Sequence, residues 1–332
     1  MQKQKRQKFH RMVIPEAIKR KRLKYIAILP SSITLLNALC GFLSIVFASR
    51  GPGTFWQGSY FYRTGISYFA LAGYMLFFAM IADMLDGRVA RLSGTTSSFG
   101  GQLDSLSDAI SFGVAPAFLM IRMVGNQLAA LRGGSFPLVR FLDQSVLFIA
   151  VVYALCAVIR LARFNVENDE RETAHMDFAG LPSPAAAGML MSLVIFREDF
   201  LPGMARRFAP FLETPFLEKA FLEKAMDLTI WILPPAALLA GILMVSRVSY
   251  PHALNRLLRG KKSFITFLLI FFLGLLVILN LQIAMALGFW GFALAGVFRA
   301  LFLRIRVLRM WRKDLRKDTA SRESPATEKG AE

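Results

Sequence analysis

Six stretches of 16 residues or more in this chain carry no charged residue: 25–49, 64–82, 144–159, 178–196, 228–246 and 263–298. A bilayer core about 30 Å thick is crossed by roughly 20 residues of helix, and backbone groups in lipid have to bond one another. These runs are therefore predicted to be membrane helices, and the last, at 36 residues, is long enough for a helical hairpin turning near Asn280 and Gln282. A further helix, starting near Ser98 and continuing to Ile121, brings the expected crossings to eight. Composition agrees, with 55% hydrophobic residues and a mean hydropathy of +0.48. The expected fold class is all-α, a polytopic membrane bundle of about eight transmembrane helices.

An even number of crossings puts both termini on one side, and the basic residues say which. Lys plus Arg number 29 in the two tails and the loops on their side against 10 in the opposite loops, so the positive-inside rule makes the termini cytosolic. Three regions are expected: a basic cytosolic tail over 1–24, a transmembrane domain over 25–303, and a tail over 304–332 that is basic and then disordered from about Thr319. The net charge of +18 resides mainly in segments that abut spans, without a base-stacking module. It points to anionic headgroups and topology control rather than nucleic acid. The first run is a full 25 residues and contains Pro30, which favours a retained helix over a cleaved signal peptide.

Four acids sit where two of the predicted helices meet the cytosol. Counting from Asp83, the residues Asp86, Gly87, Ala90 and Arg91 fall at offsets 3, 4, 7 and 8, one face of a helix. Gly100, Asp104 and Asp108 repeat the stripe at offsets 0, 4 and 8. Two such faces packed together would aim four carboxylates into one pocket, where they could not all stay ionised without cations. A divalent-metal site is implied, and oxygen ligands suit Mg²⁺ or Mn²⁺. Ionisable groups within spans are costly and mark function. Glycine at 87 and 100 clears room for a ligand near backbone, and Arg91 offers donors suited to phosphate.

This string resembles the signature of the CDP-alcohol phosphatidyltransferases, D-x2-D-G-x2-A-R-x8-G-x3-D-x3-D, matching it position for position. The resemblance implies that Asp83, Asp86 and Asp104 bind metal, and that Asp108 is the general base and also touches metal. Gly87, Ala90, Arg91 and Gly100 then line the CDP pocket. Leu29-Pro30-Ser31-Ser32-Ile33-Thr34-Leu35-Leu36-Asn37 with Gly41 is similar to the first helix of the phosphatidylserine synthases within that family, which assigns Thr34 and Asn37 to the CDP-lipid. Members often carry Pro-Asn where this chain has Pro30-Ser31. Arg160-Leu-Ala-Arg-Phe-Asn165 and Gly180-Leu-Pro-Ser-Pro-Ala-Ala-Ala-Gly188 are similar to their fourth and fifth helices. Arg163 and Asn165 are read as contacts to the acceptor's carboxylate or to a phosphate.

The implied activity is metal-dependent transfer of a phosphatidyl group from CDP-diacylglycerol to L-serine, giving phosphatidylserine and CMP. The implied setting is a bacterial inner (cytoplasmic) membrane with the site facing the cytosol. The small-residue helices are compatible with a homodimer, which the resemblance favours. Within the class the alternative acceptors are glycerol 3-phosphate, inositol phosphate and choline. Outside it stand an intramembrane prenyltransferase, which lacks its Asn-Asp lead here because Ala82 precedes Asp83, and a divalent-cation transporter, which would need polar residues along a path through the bilayer. Cys40 and Cys156 fall in predicted spans and read as small buried hydrophobes. His10, His175 and His252 are scattered and read as solvated loop residues. The repeat Phe-Leu-Glu-Lys-Ala over 211–225 reads as an amphipathic surface helix.

Overall fold

The computed structural model describes residues 16–55, 65–93, 98–131, 137–170, 180–208, 215–248, 250, 277 and 279–323. Helix α1 spans Glu16–Ser49 and α2 Tyr68–Ser93. Helix α3, Ser98–Asp108, passes through a π-helical turn at Ala109–Val114 into α4, Ala115–Leu131. Helix α5 covers Pro137–Glu170. Helix α6, Ser183–Ile195, widens at Phe196–Phe200 into the short α7, Leu201–Phe208. Helices α8, Pro215–Val245, and α9, Leu281–Glu323, follow. No strand occurs among the described residues, only an isolated bridge between Thr54 and Ser67 in the α1–α2 connection. The chain is an all-helical integral membrane protein.

Six helical stretches are long and apolar enough to cross a membrane: Ser31–Ser49, Tyr68–Val89, Phe99–Ala130, Pro137–Val166, Phe221–Val245 and Leu281–Arg306. The eight expected crossings differ from these six in two places. The uncharged run at 178–196 forms the buried α6, which continues without a break through the π turn into α7 and is not one of the six, and the first half of the expected terminal hairpin lies mostly outside the described residues. Helix α6 is the centre of the bundle. Ala186, Ala187, Met189, Met191 and Ile195 have no exposed surface, as expected of a helix that is apolar all round. Helices α2, α8 and α9 pack around it, and α1 lies along α2 for much of its length.

Backbone geometry seats the start of α6. Gly180 has φ +91°, its N–H donates to the Val248 carbonyl at 2.9 Å, and Leu181 N–H donates to Leu243 at 3.0 Å. The entry to α6 is thus tied to the end of α8, in a conformation that a side chain would strain.

Two expectations about the ends of elements change. The 211–225 repeat is not a separate surface helix: from Pro215 it is the first part of α8, continuous with the span. The tail regions begin as extensions of helices, because α1 starts at Glu16 and α9 continues to Glu323. Helical order therefore passes Thr319. Cys40 is buried and Cys156 half-buried, both as free thiols. The three histidines lie outside the described residues.

The two ends of the bundle carry different polar groups. At one end stand the acids of α2 and α3. At the other, Tyr74 OH donates to Asp199 Oδ2 at 2.6 Å and Gln282 Nε2 to the same oxygen at 3.0 Å. Arg122 Nη2 there reaches the Ser49 carbonyl at the end of α1, at 3.2 Å.

Candidate active site

Asp83 and Asp86 stand near the C-terminal end of α2, and Asp104 and Asp108 on α3. Carboxylate oxygens of Asp83, Asp104 and Asp108 all lie within 4.8 Å of one another. Asp83 and Asp104 are half-buried and Asp108 is buried. Three anionic oxygens at that spacing can hold a metal ion. Asp86 is set one helical turn beyond Asp83, close enough for its charge to act on Asp83 and Asp104. Its carboxylate is buried and accepts a hydrogen bond from the Thr34 hydroxyl, while its Oδ1 has no hydrogen-bond partner. A buried carboxylate oxygen left unbonded is costly and is what a cation would relieve. The donor set therefore fits a divalent ion.

Helix α1 supplies the wall behind these acids. Thr34 and Asn37 are 2% and 0% exposed, and both turn toward carboxylates. Asn37 Nδ2 donates to Asp108 Oδ1 at 2.9 Å. The carbonyl of Asn37 accepts from Ser111 Oγ, also at 2.9 Å, so one residue grips the turn after Asp108 at two points. Gly41, one helical turn further, makes this approach feasible: a Cβ there would lie 2.8 Å from the Ser111 Cα. Thr34 and Asn37 thus hold the acids from behind. Their sequence signal is the stripe Thr34, Asn37, Gly41, Ser44 at offsets 0, 3, 7 and 10, small or polar in an otherwise apolar span.

The other sequence-predicted residues fall around this cluster at different distances. Gly87 is exposed beside Asp86, and a Cβ on it would meet nothing within 4 Å. Gly100 is half-exposed one turn before Asp104. Ala90 and Arg91 continue the same α2 helix, and their side chains lie outside the described residues. On α5, Asn165 is exposed, and its Nδ2 donates to Ser105 Oγ at 2.8 Å, next to Asp104. Arg163 is half-buried. Arg160, one turn earlier, donates from Nη1 to Ser183 Oγ at 3.2 Å and lies close enough to act on the charge of Asp108. Sequence reasoning gave Ser105, Ser111 and Ser183 no chemistry, because their partners are distant in the chain.

A polytopic helical membrane protein whose acids converge at one end of the bundle, with oxygen ligands for a metal, defines a class in which water-soluble and lipid-borne groups meet at the membrane surface. The chain belongs to the CDP-alcohol phosphatidyltransferase family, which it matches over residues 27–231. It is 29% identical to a CDP-diacylglycerol–serine O-phosphatidyltransferase of Helicobacter pylori over 282 residues, 84% of this chain and 93% of that protein. A protein of the same name from Methanocaldococcus jannaschii is 28% identical over 68% of this chain and 74% of its own length. One from Saccharomyces cerevisiae is 33% identical over 50% of this chain and 59% of its own length.

Proposed function

We propose that this protein is a CDP-diacylglycerol–serine O-phosphatidyltransferase, moving the phosphatidyl group of CDP-diacylglycerol to the hydroxyl of L-serine with release of CMP. The observation that carries the reading is the convergence of Asp83, Asp104 and Asp108 within 4.8 Å, with Asp86 adjacent, in a chain of this family. Asp83, Asp86, Asp104 and Asp108 would hold Mg²⁺ or Mn²⁺. When bound, the ion supplies charge stabilisation for the pyrophosphate and the departing CMP.

The remaining work falls to the chain's own side chains. Asp108 Oδ2 accepts the serine hydroxyl proton as that oxygen attacks the β-phosphorus in line, while Oδ1 is occupied by Asn37. The bond from that phosphorus to the CMP oxygen breaks. Gly87, Ala90, Arg91 and Gly100 receive the CDP moiety, Gly87 leaving open space on its face. Thr34 and Asn37 contribute to the CDP-lipid site by fixing Asp86 and Asp108. Arg163 and Asn165 flank the acceptor, Arg163 offering a cation to the serine carboxylate. Apolar side chains such as Leu35, Leu39 and Phe42 are exposed on the outer face of α1, where acyl chains can remain in the bilayer. The site faces the cytosol of a bacterial inner membrane, and the protein acts as a homodimer.

Purified protein given CDP-diacylglycerol and a panel of alcohols tests this directly by CMP release. L-serine should be the preferred acceptor, and EDTA should abolish turnover. Faster release with glycerol 3-phosphate, inositol phosphate or choline would reject serine and retain the transferase class. Full activity in EDTA would reject the metal.

A further inference from the structure

The helix that carries Asp104 and Asp108 widens into its π turn immediately after Asp108, and the sequence holds the reason. In an α-helix the carbonyl of residue 112 accepts from the N–H of residue 116. Residue 116 is proline, which has no N–H and whose ring crowds the carbonyl four residues back. The backbone answers by lengthening its bonds to five residues, so that Ala115 N–H reaches Ile110. The Phe112 carbonyl finds a donor outside its own helix: Tyr153 OH of α5, at 2.9 Å.

Tyr153 and Phe112 are both 0% exposed, so this bond lies in the dry interior of the bundle. On the opposite side of the same turn, Ser111 Oγ bonds the Asn37 carbonyl and Asn37 Nδ2 bonds Asp108. The turn is clamped between α1 and α5, with Asp108 at its first end. π-helical turns are rare and recur at functional sites. They move the residues on either side out of α-helical register, so holding the turn holds the direction of the carboxylate before it.

We infer that Tyr153 and Pro116 are positioning residues for Asp108: the proline opens the π turn, and the Tyr153 hydroxyl fixes it through the Phe112 carbonyl. Neither touches substrate. The inference rests on the proposed reading of Asp108 as proton acceptor and metal ligand.

Two variants test it in purified, detergent-solubilised protein. Tyr153→Phe removes only the hydroxyl. Pro116→Ala returns the missing N–H, lets the turn relax to α geometry and leaves no carbonyl unbonded, so it should fold even if Tyr153→Phe does not. Both should lower kcat for CMP release by about tenfold or more, the scale of a small misplacement of a reacting group. KM for CDP-diacylglycerol should stay within about twofold, since uniform binding is untouched. Mn²⁺ affinity, titrated by electron paramagnetic resonance without substrate, should weaken by about fivefold or more, as for residues that orient ligands. The Tm of Pro116→Ala should not fall. A folded Pro116→Ala with wild-type kcat and wild-type Mn²⁺ affinity overturns the inference, as does a folded Tyr153→Phe that loses only Tm. The Mn²⁺ titration separates this result from the acceptor: a wild type that ignores serine, yet loses Mn²⁺ affinity in both variants, rejects the serine reading and keeps the positioning role.

Discussion

At the scale of single residues, the site is built from acids that a helix brings together and a neighbouring helix then holds. Asp104 and Asp108 are one turn apart on α3, and Asp83 reaches them from α2. Asp108 is the proposed base on the family resemblance, and Asn37 holds its Oδ1. Asp108→Asn keeps the shape and removes the base, so CMP formation should fall by about 10²–10⁴-fold, the usual contribution of a general base, while the protein still inserts and binds CDP-lipid. Substantial residual turnover would reject that role. Asn37→Ala should also impair turnover while leaving acceptor preference unchanged, since it strips from Asp108 a bond of about 1.5–3 kcal/mol. The acids were legible in the sequence because their spacing is local, three residues apart on α2 and four apart on α3. The roles of Thr34 and Asn37 were only half legible. Their partners Asp86 and Asp108 lie 52 and 71 residues away, and which helix a polar stripe faces is decided by packing that one sequence does not encode locally.

At the scale of helices, the site depends on how closely α1 can approach the turn after Asp108. Gly41 is the contact point, and a side chain there would press on the backbone of Ser111, which a packed interior cannot yield without moving. Gly41→Ala should therefore lower kcat and destabilise the fold by about 1–3 kcal/mol, the range for overpacking. Thermal unfolding and CMP release together check this, and wild-type values for both would show that α1 has slack. Most of α1, α2, α5 and α8 could be read from uncharged runs. Helix α6 read as another span because its composition is that of one, and what surrounds it is protein rather than lipid. Hydropathy does not distinguish those two apolar surroundings. The π turn was only half legible: Pro116 marks a lost helical bond, but a proline in a helix can be met by a kink as well as by a wide turn.

At the scale of the whole molecule, the two ends of the bundle carry different polar groups. Thr34, Asp83, Asp108 and Ser183 gather at one end, while Ser49, Arg122, Tyr74, Asp199 and Gln282 bond at the other. The distance along α1 from Thr34 to Ser49 is fifteen residues, about 22 Å at helical rise, so the polar groups at the two ends are separated by most of a hydrocarbon core. The proposed orientation, argued from the basic residues in the loops, puts the acidic end in the cytosol, where serine and CMP would be available in water and CDP-diacylglycerol would arrive through the lipid. Single cysteines, introduced after Cys40 and Cys156 are replaced, check this orientation. Positions 90, 168 and 256 should be shielded from an impermeant thiol reagent in intact cells and react once the membrane is opened, whereas positions 57, 135 and 210 should react from outside. Labelling of position 90 in sealed cells would place the acids on the outer face, away from cytosolic serine, and would overturn the proposed orientation.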